Sequence, residues 1–230
     1  MIKKYLSDFL NLFFPVYCVA CGENIPDKKI PLCTLCYSRL PETNFFTIDN
    51  NSVEKIFYGR LPVIHAGSAY FYSKDSIVQK LIYALKYRGD KNCGIYLGKL
   101  MAVELEKASW IKEINALVPI PLNKKREQQR GYNQAKLIAD GIKEVLQIPV
   151  LENAVVRKQF TETQTHKTRA QRQQNMEDVF MVENADLLNG KHILLIDDIV
   201  TTGATLDACG NAIVKNSTAK LSIATVAMSV

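Results

Sequence analysis

One run near the C-terminus limits the choice of fold more than any other part of the chain. It reads Ile193, Leu194, Leu195, Ile196, then Asp197 and Asp198, and shortly after them Thr201, Thr202, Gly203, Ala204 and Thr205. Four consecutive apolar residues predict a buried strand, the two carboxylates sit at its end, and a small polar loop with one glycine opens a helix. Paired acids at a strand tip, followed by backbone amides at a helix N-terminus, suit a ligand carrying both hydroxyls and a phosphate. A phosphorylated ribose is such a ligand. Two adjacent acids alone would equally begin a solvated turn; the threonine-glycine loop beside them is what joins the two halves into one site. A Walker-type loop is excluded, because no Gly-x4-Gly-Lys-Ser/Thr occurs, and a dinucleotide fingerprint is absent as well.

The rest of the chain supports a fold around that strand. Strands are predicted over 65–72, 116–121, 149–157, 192–197 and 220–228. Helices are predicted over 76–86, where Ile77, Leu81, Ile82 and Leu85 share a face, and over 94–107, 132–146 and 204–214. Alternation of this kind implies an α/β fold, a mainly parallel sheet with right-handed crossovers flanked by helices, and ligands at the carboxyl ends of its strands. At 230 residues the chain can hold one sizeable core and a small appendage. Residues 41–51 are polar and turn-rich and read as a linker. The expected division is therefore 1–48, a connecting or roofing segment 49–110, and the main domain 111–230.

Four of the six cysteines form Cys18-x2-Cys21 and Cys33-x2-Cys36. Each pair can turn two thiolates toward one point, and two pairs supply an all-thiolate tetrahedral shell, so structural zinc in a small ribbon is expected. Four thiolates leave no open position for water, which argues against a catalytic metal. Two disulfides are the rival reading. Leu6, Phe9, Leu10 and Phe13 fall on one helical face, and Asp8 and Asn11 interrupt the apolar run that a signal peptide would need. The expectation is a short amphipathic helix packed on the protein itself, in a reducing, cytoplasmic compartment, with contact at a membrane surface as the alternative. No stretch approaches the ~20 apolar residues of a membrane span.

Charge is unevenly spread. Residues 112–172 hold 12 Lys/Arg against 6 Asp/Glu, whereas 173–230 hold 3 against 7. A basic middle suits an anionic partner such as pyrophosphate or nucleic acid, and a plain solvated face remains the alternative.

The run 193–205 resembles the phosphoribosyl pyrophosphate (PRPP) motif of type I phosphoribosyltransferases. More narrowly, the chain resembles the ComF family of late competence proteins, which join a zinc ribbon to a phosphoribosyltransferase domain. The resemblance is carried also by the cysteine ribbon and by residues 85–90 (Leu-Lys-Tyr-Arg-Gly-Asp). It continues through residues 118–121 (Val-Pro-Ile-Pro) leading to 130–134 (Arg-Gly-Tyr-Asn-Gln), and through the stretch from Thr163 to Asn175.

It implies a type I phosphoribosyltransferase core over 111–230 and a role for each stretch. Asp197 and Asp198 would fix the ribose hydroxyls and favour a cationic transition state, while Thr201, Thr202, Gly203, Ala204 and Thr205 anchor the phosphate. Lys124, Lys125, Arg126 and Arg130 would meet pyrophosphate, with Gly131 permitting close backbone approach. Lys86 and Arg88 would either reach the same group or pin a helix junction. Lys167, Arg169 and Arg172 would approach pyrophosphate from a loop that closes over the site; His166 lies in that loop, whereas His192 begins a strand and reads as structural. Mg2+ would accompany the diphosphate. The implied partners are PRPP, single-stranded DNA and other proteins of DNA uptake, with the inner face of the membrane as a peripheral location. The implied activity is phosphoribosyl transfer to an acceptor the residues do not identify. The alternative is a non-catalytic factor that handles single strands and uses PRPP as a regulatory input.

Overall fold

The computed structural model describes residues 15–158 and 179–230. The expected N-terminal helix and the stretch holding His166, Lys167, Arg169 and Arg172 lie outside the described residues.

The main sheet has four parallel strands in the order β3 (Ala66–Tyr72), β8 (Lys220–Ser229), β7 (His192–Val200) and β4 (Ala116–Pro119). Buried apolar residues on both faces of the central strands require cover on both sides, and helices provide it. One face packs against α3 (Ile77–Tyr87), α4 (Lys91–Glu106) and α6 (Gln134–Leu146), through Leu81, Leu85, Leu97, Met101, Ile138 and Ile142. The other packs against α2 (Ser52–Phe57) and α7 (Ala204–Asn216), through Val53, Phe57, Leu206 and Ile213. Helices α4 and α6 cross at Gly98 and Gly141, where a Cβ on Gly98 would stand 2.1 Å from the Ile138 carbonyl oxygen. The α/β fold with a parallel sheet is thus the one expected. Strand β3 belongs to this same sheet, so the segment 49–110 supplies one of its strands as well as α3 and α4.

Three local expectations are corrected. The stretch 149–157 is not one strand. Val150 makes a single parallel bridge to Leu117, a turn follows at Glu152 and Asn153, and β5 (Val155–Arg157) then pairs antiparallel with β6 (Phe180–Val182) in a separate ribbon. Pro149 lacks a donor and the polar turn residues break the run. Strand β7 runs on to Val200, because Ile199 and Val200 pair with Ala227 and Met228, so the two acids sit inside the strand rather than at its end. Residues 124–130, which fall in none of the predicted helices, form the helix α5 (Lys124–Arg130), capped by Asn123 and closed by Gly131 at φ 79°. A Cβ on Gly131 would meet nothing within 4 Å. That glycine serves the left-handed turn.

The N-terminal ribbon holds β1 (Val16–Tyr17), β2 (Asn24–Ile25) and α1 (Thr34–Tyr37). It is not detached. Cys18, Ala20, Ile25, Leu32 and Cys36 join the same apolar cluster as α3 and α4, and Lys80 Nζ donates to the Ala20 carbonyl at 2.7 Å. No helix among the described residues is long and apolar enough to cross a membrane.

Candidate functional site

At the carboxyl end of the sheet, β7 carries Asp197 and Asp198. Asp198 is buried and its Oδ2 meets Lys86 Nζ at 2.8 Å, so α3 supplies its counter-ion. The Asp198 amide donates to Asp197 Oδ1 at 2.8 Å. Burial first, and the adjoining Asp198 charge second, push the Asp197 carboxyl up to about 7, against the weaker pull of Lys86 and Arg157. Among the described residues the site therefore holds one ion-paired carboxylate and one that no cation pairs directly.

Asp197 lines a small cleft with Ile199, Val200 and the loop from Thr201 to Leu206. Thr201, Thr202 and Thr205 are exposed there. Gly203 at φ 72° begins α7, and no side chain among the described residues caps that helix start. Its first amides, which have no partners within the helix, and its positive dipole end suit an anion. The loop is clamped from behind by α2 and the turn after it. Arg60 Nη1 donates to the Thr202 carbonyl at 3.1 Å, and its Nη2 meets Asp207 Oδ2 at 2.8 Å. A Cβ on Gly203 would come within 2.6 Å of Ile56 Cγ2 and 3.0 Å of Phe57 Cε1, so glycine is required for both conformation and space.

The sequence-derived residues do not all converge on this cleft. Lys86 is committed to Asp198. The Arg88 guanidinium lies over the Tyr83 ring at 5.5 Å, and neither residue lines the loop cleft. Lys124, Lys125 and Arg126 are exposed on α5, while Arg130 reaches back to Gln134 Oε1. Two residues that the motifs did not mark are brought in. Arg157, half-buried at the end of β5, stacks on Phe180 at 5.4 Å and bears electrostatically on both Asp197 and Arg126. Arg60 is the loop clamp. An arginine closing an otherwise apolar strand, as in Val155-Val156-Arg157, was a usable signal; Arg60, 142 residues from Thr202, had none.

The four ribbon cysteines form a second centre. Their sulfur atoms all lie within 4.8 Å of one another, with Cys21 Sγ and Cys33 Sγ 3.7 Å apart, and all six cysteines of the chain are free thiols. Zinc bonded to sulfur at ~2.3 Å in a tetrahedron needs sulfurs spaced by about 3.8 Å, whereas a disulfide needs about 2 Å. The geometry excludes the two-disulfide reading and fits zinc. Burial opposes ionisation of Cys18, but amides of Cys33, Cys21 and Ala20 outweigh it and bring that thiol down to about 6. Burial and then the neighbouring sulfurs push Cys36 up to about 12. Several thiolates crowded together oppose one another's ionisation, and a bound dication removes that conflict.

Residues 130–229 match the phosphoribosyl transferase domain family. Competence protein F of Haemophilus influenzae is 26% identical over 211 residues, covering 85% of this chain and 89% of that protein. DNA utilization protein YhgH of Escherichia coli is 26% identical over 146 residues, covering 62% of this chain and 63% of that protein. Competence protein ComFC of Bacillus subtilis is 31% identical over 140 residues, covering 59% of this chain and 52% of that protein. The match therefore spans most of the first relative and less than two thirds of the other two.

Proposed function

The chain is a homologue of competence proteins F and ComFC and carries a phosphoribosyl transferase domain; from that premise we propose that it binds PRPP at the end of β7 and transfers the phosphoribosyl group to an acceptor. One observation carries the reading: Asp197 shares a cleft with the uncapped, threonine-lined start of α7. Acceptors for ribose hydroxyls and donors for a monoester phosphate thus stand side by side.

In this reading the amides and hydroxyls from Thr201 to Thr205 hold the 5-phosphate. Asp197 and Asp198 accept hydrogen bonds from the ribose hydroxyls. As the bond from the anomeric carbon to the diphosphate oxygen breaks, its electron pair leaves with pyrophosphate and positive charge develops on the ribose. The two carboxylates favour that charge. The acceptor then bonds to the anomeric carbon and gives up a proton. Arg157 and the cations of α5 are the described groups available to neutralise the departing pyrophosphate. No side chain has to act as nucleophile. Asp197 and the loop hydroxyls are hard oxygen donors of the kind magnesium accepts, and Mg2+ carried by the diphosphate would supply charge neutralisation. The names of the relatives support a link between that activity, or the bound PRPP, and the uptake and use of DNA.

Calorimetric titration with PRPP, with and without Mg2+, tests the donor half. Saturable binding at one site, competed by pyrophosphate, is expected; the absence of binding in both conditions would end the proposal. A pyrophosphate-release screen then tests turnover.

A further inference from the structure

Two consecutive residues in the turn after α5 tie together the elements that carry the carboxylate pair and its cation. The Tyr132 hydroxyl donates to the carbonyl of Leu85, the residue before Lys86 on α3. Asn133 Nδ2 donates to the Ile120 carbonyl at 2.9 Å, and the Ile120 amide donates at 2.9 Å to the carbonyl of Ile196, the residue before Asp197 on β7. The turn is braced on its own account. Asn133 Oδ1 accepts from the Ala135 amide at 2.9 Å and so caps α6, and Arg130 reaches across to Gln134.

Lys86 needs such a bracket. Its amine stands 2.8 Å from Asp198 Oδ2 on a flexible four-carbon stem, in the last turn of α3. Helix ends fray, and their last carbonyls have no partners within the helix. Here the amides of Arg88 and Asp90 both return to the Ala84 carbonyl, at 3.1 and 3.3 Å, and the next carbonyl, that of Leu85, takes the Tyr132 hydroxyl. The phenol suits this use. It is buried, Lys91 Nζ lies over its ring at 5.3 Å, and burial outweighs the pull of Arg130 to hold its pKa above the ordinary range, so it stays protonated and donates. The turn itself does not require the hydroxyl, because Gly131 closes α5 and Asn133 opens α6 without it.

We infer that Tyr132 is a positioning residue: its hydroxyl fixes the last turn of α3 so that Lys86 stays on Asp198, while Asn133, through Ile120, fixes the other half of the pair on β7. Charged groups in a binding site need placement to within about 0.5 Å. The same turn follows directly on the cations of α5, so the groups available to the two ends of PRPP share one frame. The effect on PRPP rests on the reading of the donor site above; the hold on Lys86 does not.

Two measurements on the full chain separate them. Reductive methylation with formaldehyde and a borohydride, followed peptide by peptide, reads the accessibility of each lysine amine. Tyr132→Phe keeps the ring and removes the donor to Leu85. In it Lys86 should react about threefold or more faster than in the parent, and the exposed Lys74 at an unchanged rate. PRPP affinity should fall about fivefold or more in the same variant, with a melting temperature lower by only a few degrees. Lys86→Gln should also lose affinity, and adding Tyr132→Phe to it should change affinity by less than about twofold, because a residue that acts through Lys86 then has nothing to act on. An unchanged Lys86 rate in Tyr132→Phe would overturn the inference. Affinity losses that simply add in the double variant would overturn it as well, as would unchanged affinity of Tyr132→Phe in a chain whose parent binds PRPP. Faster labelling of Lys86 in a chain that binds no PRPP would uphold the hold on Lys86 and remove the donor-site reading.

Discussion

Strand β7 enters the sheet through one buried polar cluster and leaves it through another, and the two are built on opposite terms. At the entrance, His192 is buried with one ring nitrogen 2.8 Å from Ser222 Oγ, and its amide donates to Asn115 Oδ1 at 2.7 Å. Ser222 Oγ also accepts from the His65 amide, and the His65 ring stacks on Trp110 at 4.8 Å. Burial holds the imidazole below its ordinary range despite Glu113, so it is kept neutral. The members of a hydrolytic triad are present in Ser222, His192 and Glu113. Ser222, however, is fully buried and Glu113 stands 3.8 Å from His192 Nδ1, so nothing can be attacked. At the exit, two adjacent carboxylates share one direct cation partner among the described residues, Lys86. At the entrance His192 Nε2 and the Ser222 hydroxyl pair within the chain, leaving a neutral Nδ1 with no hydrogen bond among the described residues; the exit leaves a charge imbalance that a ligand can relieve. Stabilising polar groups and binding polar groups differ in that respect even when five residues apart on one strand.

The largest expected effect strikes the exit. An Asp197→Asn, Asp198→Asn double variant should lose PRPP affinity by about 100-fold or more, since two hydrogen bonds to charged groups contribute about 1.5–3 kcal/mol each. It should keep a cooperative thermal melt. Affinity within tenfold of the parent would mean that this end of β7 is not the ribose site. His192→Ala should do the opposite. Deleting a buried, hydrogen-bonded ring should cost about 2–4 kcal/mol of stability, read as a melting temperature lower by about 5–15 °C. PRPP affinity should stay within about twofold, and a parallel loss of affinity would erase the distinction between the two ends.

What could be read in advance follows from how local each feature is. The four-residue apolar run, the adjacent acids and the single glycine encode the β7–α7 turn within thirteen residues, and strand-helix alternation encodes the parallel sheet. The cysteine pairs were legible for the same reason, because spacing of two residues fixes thiolate geometry. The exact position of the acids was not, since Ile199 and Val200 extend the strand only by pairing with β8. The break after Val150 depends on whether Leu117 offers further partners. The Arg60 clamp and the Lys86–Asp198 pair are juxtapositions of distant segments, and residue spacing carries no record of them.

Smaller effects test how finely the exit is tuned. Gly203→Ala adds a side chain in the left-handed region, costing about 1–2 kcal/mol, and presses on Ile56 and Phe57. The loop should shift, with PRPP affinity about tenfold lower and a melting temperature lower by only a few degrees. A larger loss of stability than of affinity would make the loop a structural turn rather than a binding one.

The smallest and sharpest test is pH. Asp197 has a folded-state value of about 7, above its ordinary 3.8, so the folded chain holds a proton that the unfolded chain has released between those limits. Its contribution to stability is therefore full at about pH 4, falls as pH rises toward 7, and is level above that. His192 runs the other way in the upper part of that window. Its folded-state value is depressed, so its contribution is full above the ordinary 6.5 and is lost as pH falls through the depressed value. Asp197→Asn should remove the downward slope and expose the histidine's upward one, a difference of about 2–4 °C in melting temperature per pH unit. PRPP affinity should rise over the same interval in the parent, because ribose hydroxyls donate to the ionised carboxylate. In Asp197→Asn the rise should vanish. Stability and affinity moving oppositely with pH, through one side chain, is what separates a carboxylate held for a ligand from one held for the fold.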